Sequence, residues 1–200
     1  MQMPAWNKLA RYSPIAHLGP IRDEAVLNGV EVLYQVSENS WWAGSYPVDA
    51  MLWVESLVKQ GDRTATILID SPGGSVYSML GIVDAIRWYQ GMGCVLRTVV
   101  RGMAMSAAAI IASCGTKGER LAGRNSTFLI HEPSSWSQGS ATDIRIQHEE
   151  LERLTQVVAY ILSVNTGRKA EDIKKLMQDK RNWYLSPHDA VDFGLVDAVI

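Results

Sequence analysis

The run Val95 to Val100, rich in β-branched side chains, leads straight into Arg101-Gly-Met-Ala-Met-Ser-Ala-Ala-Ala-Ile-Ile-Ala-Ser-Cys-Gly115. The first part favours a buried strand, and the small residues after it favour a closely packed helix that Gly115 can end. The expectation is a strand that turns through Gly102 into that helix. Ser106 then sits at the strand-to-helix turn, where its hydroxyl projects from the sheet edge. The unpaired N–H groups of the first helical turn lie beside it, available to hold a developing oxyanion. The alternative reading of Ser106 is a helix N-cap.

The neighbouring segments decide what surrounds this turn. Residues 1–29 read as an irregular arm interrupted by Pro4, Pro14, Gly19 and Pro20, with one short helix from Asp23 to Asn28. Val30 to Val36 alternates as a strand does. Ser37 to Tyr46 reads as a loop, and Pro47 opens a helix that Gly61 stops. Ala65 to Ile69 reads as a buried strand, followed by Asp70-Ser-Pro-Gly-Gly74 and a helix from Val76 to Tyr89. Thr127 to Ile130 is a further strand that ends in His131-Glu-Pro133. This β-α-β-α-β order implies a parallel sheet covered by helices, with reactive groups gathered at the carboxyl ends of its strands. Asp70–Gly74, Ser106 and His131 all fall at such ends.

Beyond the polar stretch Ser134 to Ser140, Thr142 can cap a long amphipathic helix reaching Asn165, whose charged first half is able to project from the globule. A shorter helix spans Ala170 to Asp179. Ser186-Pro-His-Asp189 carries a cap, a proline at the first helical position and an acid in the first turn. Gly194 closes that helix, and Leu195 to Ile200 is a final strand.

Composition sets outer bounds. Two hundred residues, 47% hydrophobic and 20% charged, are enough for one domain with a sizeable core. A net charge of −2 gives no general attraction to nucleic acid or to an anionic membrane. Cys94 and Cys114 make neither a disulfide framework nor a metal cluster, which fits a reducing compartment. The first residues lack the apolar core of a signal peptide, and no run reaches the roughly 18 apolar residues of a membrane helix. The expectation is a soluble, cytoplasmic single domain over residues 30–200, with no metal site. The high tryptophan content, with Trp41, Trp42 and Trp53 close together, fits buried packing or a subunit contact.

Nucleophilic acyl transfer needs a hydroxyl, a base and oxyanion donors in one place. Ser106 supplies the hydroxyl and His131 is the base candidate, a structural histidine being the alternative. Gly73-Gly74 offers a backbone that a substrate chain can approach closely.

The sequence resembles the Clp protease proteolytic subunit (ClpP) family of self-compartmentalising serine proteases. The likeness is carried by Ile69-Asp-Ser-Pro-Gly-Gly-Ser75, by Gly102-Met-Ala-Met-Ser-Ala107 running through Gly115-Thr-Lys-Gly118, and by Leu129-Ile-His-Glu-Pro133. Leu185-Ser-Pro-His-Asp-Ala190 with Phe193-Gly-Leu-Val-Asp197 adds to it, as does Gln138-Gly-Ser-Ala-Thr-Asp-Ile144. The resemblance implies an α/β, crotonase-like fold of repeated β-β-α units, with a projecting handle helix at about 134–165. It implies Ser106 as nucleophile, His131 as general base and the N–H groups of Gly74 and Ala107 as oxyanion donors, with Gly73 beside the substrate. Arg181 and Asp143 fall at the expected ring–ring contact.

The third triad position of the family is usually an Asp after an Arg; here Arg181 is followed by Asn182. The amide oxygen of an Asn still accepts from the Nδ1–H of an imidazole, without a full charge to stabilise the imidazolium. Asp179, three residues earlier, is the alternative. Lys180 stands where family members often carry an acid, and Ser140 where Gln is common.

The implied activity is that of a serine endopeptidase in stacked heptameric rings, a tetradecamer of one chain or of mixed rings with a paralogue. Unfolded polypeptide is its substrate, and an AAA+ Clp-type ATPase its partner. It needs no cofactor of its own, ATP being used only by the unfoldase, and it has no nucleic-acid or membrane partner. A weakly active or inactive structural ring subunit is the alternative that Asn182 motivates. An acyl-CoA enzyme of the crotonase fold would leave Ser106 and His131 without a reason.

Overall fold

The computed structural model describes residues 31–37, 40–44, 64–135 and 138–200. The expected arm 1–29, the Pro47–Gly61 helix and Trp53 lie outside them. Among the described residues, eight strands form one sheet in the order β2-β1-β3-β4-β5-β8, with β6 and β7 branching from β4. They are β1 (Glu31–Ser37), β2 (Ser40–Gly44), β3 (Thr64–Ser71), β4 (Val95–Met105), β5 (Arg120–Ala122), β6 (Thr127–Ile130), β7 (Trp183–Leu185) and β8 (Ala198–Val199). The helices are α1 (Val76–Gly91), α2 (Ala107–Ser113), α3 (Ala141–Thr166), α4 (Ala170–Lys180) and α5 (Pro187–Phe193). Strands β3, β4, β5 and β8 run parallel, whereas β1 pairs antiparallel with both β2 and β3. This is the mixed α/β architecture that the resemblance implies.

Strand β4 organises the molecule by serving two partners. Thr98–Val100 pair with β5, and Met103–Met105 pair with β6. Between the two halves the register against β3 slips, Ile69 facing Val100 while Ser71 faces Ala104. Gly102 (φ +83°) absorbs this bulge, and Asp70 Oδ1 accepts the Met103 N–H at 3.1 Å. A methyl on Gly102 would lie 2.6 Å from that carboxylate oxygen, so a larger residue would displace the Asp70 side chain as well as strain the backbone. The strand therefore does not turn into a helix at Gly102, as the sequence pattern suggests. It bends there and continues to Met105, and the turn falls at Ser106.

Other boundaries differ from expectation as well. The last strand is only Ala198–Val199, not Leu195 to Ile200, because Leu195 and Val196 turn back from the end of α5 into the core. Ser40–Gly44 is a strand paired with β1 inside the stretch that reads as a loop. Helix α2 closes on Cys114 with right-handed helical angles, so Gly115 is not its stop. Ser140, not Thr142, caps α3, exchanging hydrogen bonds with Asp143 in a capping box. That contact with the Ser140 hydroxyl and N–H holds the Asp143 carboxyl below the usual range. Ser186 and Asp189 form the same box before α5, as the sequence leads one to expect, and Gly167 and Gly194 end α3 and α5 in left-handed conformations.

The core lies between the sheet and α1, α2 and the second half of α3. Helix α2 is buried along its whole length, because its alanines let it approach β4 closely. Met79, Ile82, Val83 and Ile86 of α1 and Leu154, Val158 and Leu162 of α3 close over it. Each large side chain removed from water here contributes about 1.5–3 kcal/mol. From Ala141 to Arg153, by contrast, α3 has no buried residue, so its first half stands off the core. None of the described helices is long and apolar enough to cross a membrane.

Candidate active site

Ser106 occupies the elbow between β4 and α2 with φ +54° and ψ −124°. A non-glycine residue at such angles stores about 1–3 kcal/mol of strain, which the surrounding structure must hold. It is held on both sides: α2 is wholly buried, and the Ser106 N–H donates to the Leu129 carbonyl of β6 at 2.8 Å. The hydroxyl caps no helical N–H. Instead Ser106 Oγ lies 2.7 Å from Nε2 of His131, the residue that follows β6. The β4–β6 ladder explains this meeting, since Met105 faces Leu129 and the two side chains emerge just beyond that pair.

His131 is half-buried, and burial alone moves its pKa below the ordinary histidine value. Desolvation disfavours the charged imidazolium, so the ring is neutral at neutral pH and its Nε2 is free to accept the serine proton. That role requires the proton on Nδ1. Among the described residues Nδ1 has no hydrogen-bond partner.

The glycine pair after β3 packs against the elbow. Gly73 (φ +96°) packs directly on the elbow: a methyl there would fall 2.5 Å from the Met105 carbonyl, 2.7 Å from Ser106 Cβ and 3.1 Å from Ala107 N. Its own N–H is engaged by Ser71 Oγ at 3.0 Å, and Ser71 is fully buried. Gly73 thus contributes close approach. Gly74, next in the chain, and Ala107, at the first position of α2, keep N–H groups with no acceptor among the described residues. Beside Ser106 and His131 opens a small pocket lined by Met79, Ile110, Ile130, Pro133 and Val158. The sequence marks Asp70–Gly74 as a segment but gives Asp70, Ser71 and this apolar lining no individual role. Their roles depend on which segments meet, and only the Asp-Ser-Pro-Gly spelling hints at the first two.

Asn182 is reached through register. Strand β7 pairs antiparallel with β6 in a ladder that ends where Ile130 faces Trp183; His131 is the residue just after that last pair and Asn182 the one just before it. Its side chain is exposed and makes no hydrogen bond among the described residues. Asp179 is exposed in the last turn of α4 and is likewise not bonded to His131. Arg181 is exposed with φ +55°, and Asp143 is committed to the α3 cap. The structure thus brings Ser106, His131, Gly73, Gly74 and Ala107 together and puts Asn182 at the edge of the group. Arg181 follows α4 and Asp143 opens α3, neither bonded to it.

Comparison with known proteins gives this arrangement its relatives. A family model described as Clp protease matches residues 42–200. The ATP-dependent Clp protease proteolytic subunit 2 of Frankia casuarinae is 36% identical over 180 residues, which is 90% of this chain and 76% of that protein. The ATP-dependent Clp protease proteolytic subunit 1 of Prochlorococcus marinus strain MIT 9312 is 39% identical over 153 residues, 76% of this chain and 75% of its own length. A subunit 1 from Prochlorococcus marinus subsp. pastoris is 38% identical over the same length of alignment, covering 74% of that protein. Matched by the family model across most of its length and similar to these proteolytic subunits, the chain belongs to the Clp protease family.

Proposed function

We propose that the chain is a serine endopeptidase subunit of a self-compartmentalising ring protease that cuts unfolded polypeptides into short peptides. The observation that carries this reading is the 2.7 Å contact between Ser106 Oγ and His131 Nε2 on a strained strand-to-helix elbow. A peptide adds as a strand beside Gly73-Gly74, its main chain supplying affinity with little sequence selectivity. An apolar side chain ahead of the scissile bond enters the Met79–Val158 pocket. Ser106 attacks the carbonyl as His131 takes its proton, and the Gly74 and Ala107 N–H groups receive the oxyanion. Protonated His131 then gives its proton to the leaving amine, and water releases the acyl group by the same route in reverse. Asn182 accepts from the His131 Nδ1–H and fixes the tautomer. The subunit uses no cofactor. An AAA+ Clp-type ATPase, the only consumer of ATP, unfolds and delivers the substrate, in the cytoplasm. Assembly is into stacked heptameric rings of this chain or of this chain with a paralogue, Arg181 and Asp143 lying at the ring–ring contact.

The test is hydrolysis of a fluorogenic peptide with an apolar residue before the bond, by the purified chain, together with its native mass. A multi-subunit particle that cleaves the peptide is the expected result. Intact rings that neither cleave it nor react with a fluorophosphonate would establish the second reading, a structural ring subunit. The exposed, unbonded Asn182 is what favours that alternative.

A pH profile probes the role of Asn182. Burial lowers the His131 pKa, so the neutral base persists into more acidic solution than an ordinary histidine allows. The acid limb of kcat/KM is therefore expected below pH about 6.5. Asn182→Asp puts a full charge opposite the ring, which favours imidazolium. The limb is expected to move upward, and kcat to rise roughly tenfold. An unchanged profile would place residue 182 out of reach of His131.

A further inference from the structure

The turn that presents Asn182 is short and contains a strained residue. Helix α4 ends at Lys180, β7 begins at Trp183, and only Arg181 and Asn182 lie between. Arg181 N–H still donates to the Met177 carbonyl at 3.1 Å, so the reversal is completed by its φ of +55°. A turn of this kind, with an exposed amide at its tip, does not hold one side-chain geometry by backbone bonding alone.

What surrounds it is a ladder of cations and rings. Lys180 Nζ lies 5.2 Å from the centroid of the Trp183 indole, tying together the two residues that flank the turn. Trp183 meets Phe193 edge to face, with centroids 4.8 Å apart and an interplanar angle of 85°. Arg168 lies over the other ring, 4.5 Å from the Phe193 centroid, and donates to the Phe193 and Asp192 carbonyls at the end of α5. Phe193 itself is buried. The chain of contacts therefore runs from the core, through Phe193 and Trp183, to the residue immediately before Arg181. An acid at position 180 would meet the negative face of the indole; a lysine meets it with the attractive charge. Lys180 and Trp183 thus suit one another.

The geometry points to Lys180 as a positioning residue: its ammonium, held on Trp183, clips the Arg181-Asn182 turn so that Asn182 is kept at the end of the β6–β7 ladder, within reach of His131. The clip lies within one subunit. This inference rests on the reading of Asn182 as the group that orients His131, and the experiment separates the two.

Peptide turnover and the fluorophosphonate labelling rate of Ser106 are measured for wild type, Lys180→Gln, Lys180→Arg, Asn182→Ala and the Lys180→Gln/Asn182→Ala double variant, all at matched particle mass. Lys180→Gln is expected to lower kcat about three- to fivefold at unchanged KM, and Lys180→Arg, which keeps a cation on the ring, to lose less than about twofold. In the Asn182→Ala background Lys180→Gln is expected to have no further effect, because its only route to the chemistry has been removed. A fully active Lys180→Gln beside an impaired Asn182→Ala overturns the clip and leaves the triad reading standing. Losses that multiply in the double variant overturn it as well, since Lys180 then acts by another route. An Asn182→Ala variant at the wild-type rate removes the triad reading and the clip together, and so does a wild-type chain that neither turns over peptide nor labels.

Discussion

Ser106→Ala and His131→Ala are each expected to lower peptide hydrolysis by roughly 10⁴- to 10⁶-fold, and the double variant to fall no further than the worse single. The equality is the informative part. A serine hydroxyl is a poor nucleophile at neutral pH unless a base removes its proton as it attacks. At 2.7 Å from Nε2, the Ser106 hydroxyl has that base within hydrogen-bond reach. Removing either group removes the same step, so the second deletion has nothing left to take away. Initial rates on a fluorogenic peptide, at enzyme concentrations high enough to read the residual, make the comparison. What remains is the contribution of the oxyanion donors and of substrate binding. A His131→Ala variant that keeps a tenth of the activity, or a double variant far below both singles, would mean the two residues do not act as one unit.

Much of that unit is legible in the sequence, for local reasons. Phe128-Leu-Ile130 is a short apolar run closed by Glu132-Pro133, which places His131 at a strand end without help from the rest of the fold. The capping box before α5 is written in four consecutive residues, Ser186 to Asp189. What the sequence pattern misses is set by partners far along the chain. Gly102 looks like the turn because glycine usually marks one. It marks a bulge here because the Asp70 carboxylate, 32 positions earlier, receives the Met103 N–H and lets β4 continue. The same continuation carries Ser106 to β6, where the Leu129 carbonyl fixes it. Strand β2 hides in Ser37–Tyr46 because Ser, Asn and Gly punctuate it. Its two central tryptophans, both strand-favouring residues, are the signal that outweighs them. Asn182 and His131 come to the same end of one ladder only through the register of β7, a three-residue strand too short to show a period.

The second large effect concerns stability. Arg120 gave no sign of importance in the sequence, yet it is 3% exposed and joins four parts of the chain. Its Nε donates to Asp197 Oδ2 at 2.9 Å, and its Nη1 reaches the carbonyls of Asn165 and Gly194 at 2.9 Å and of Ser113 at 3.3 Å. Those carbonyls lie at the C-terminal ends of α3, α5 and α2, where peptide dipoles concentrate negative charge. Burial raises the Asp197 pKa, but bonds from the Arg120 side chain and from the Arg120 and Gly118 N–H groups outweigh it and hold the carboxyl below its usual range. Asp197→Ala strands the Arg120 charge inside the protein and is expected to cost about 3–5 kcal/mol. That is a large share of the roughly 5–15 kcal/mol that keeps a domain folded. Because the folded pKa is depressed, the wild-type advantage is fully present above pH about 4 and is lost as the pH falls through the folded value. Urea midpoints of wild type and Asp197→Ala at one protein concentration should therefore converge only in strong acid.

Exchanging both partners, Arg120→Met with Asp197→Leu, tests which interaction matters more. If the ion pair dominated, an apolar pair of similar volume would be close to neutral. The three helix-end carbonyls argue otherwise. Each loses its buried donor in the double variant, at about 1 kcal/mol or more apiece. The double variant is thus expected to remain about 3 kcal/mol below wild type. Full recovery would mean that Arg120 is held by its carboxylate alone and that the helix ends find other donors. A persistent deficit, together with the 2.9 Å contacts to Asn165 and Gly194, would make Arg120 chiefly a shared cap for three helices, with Asp197 keeping its charge compensated.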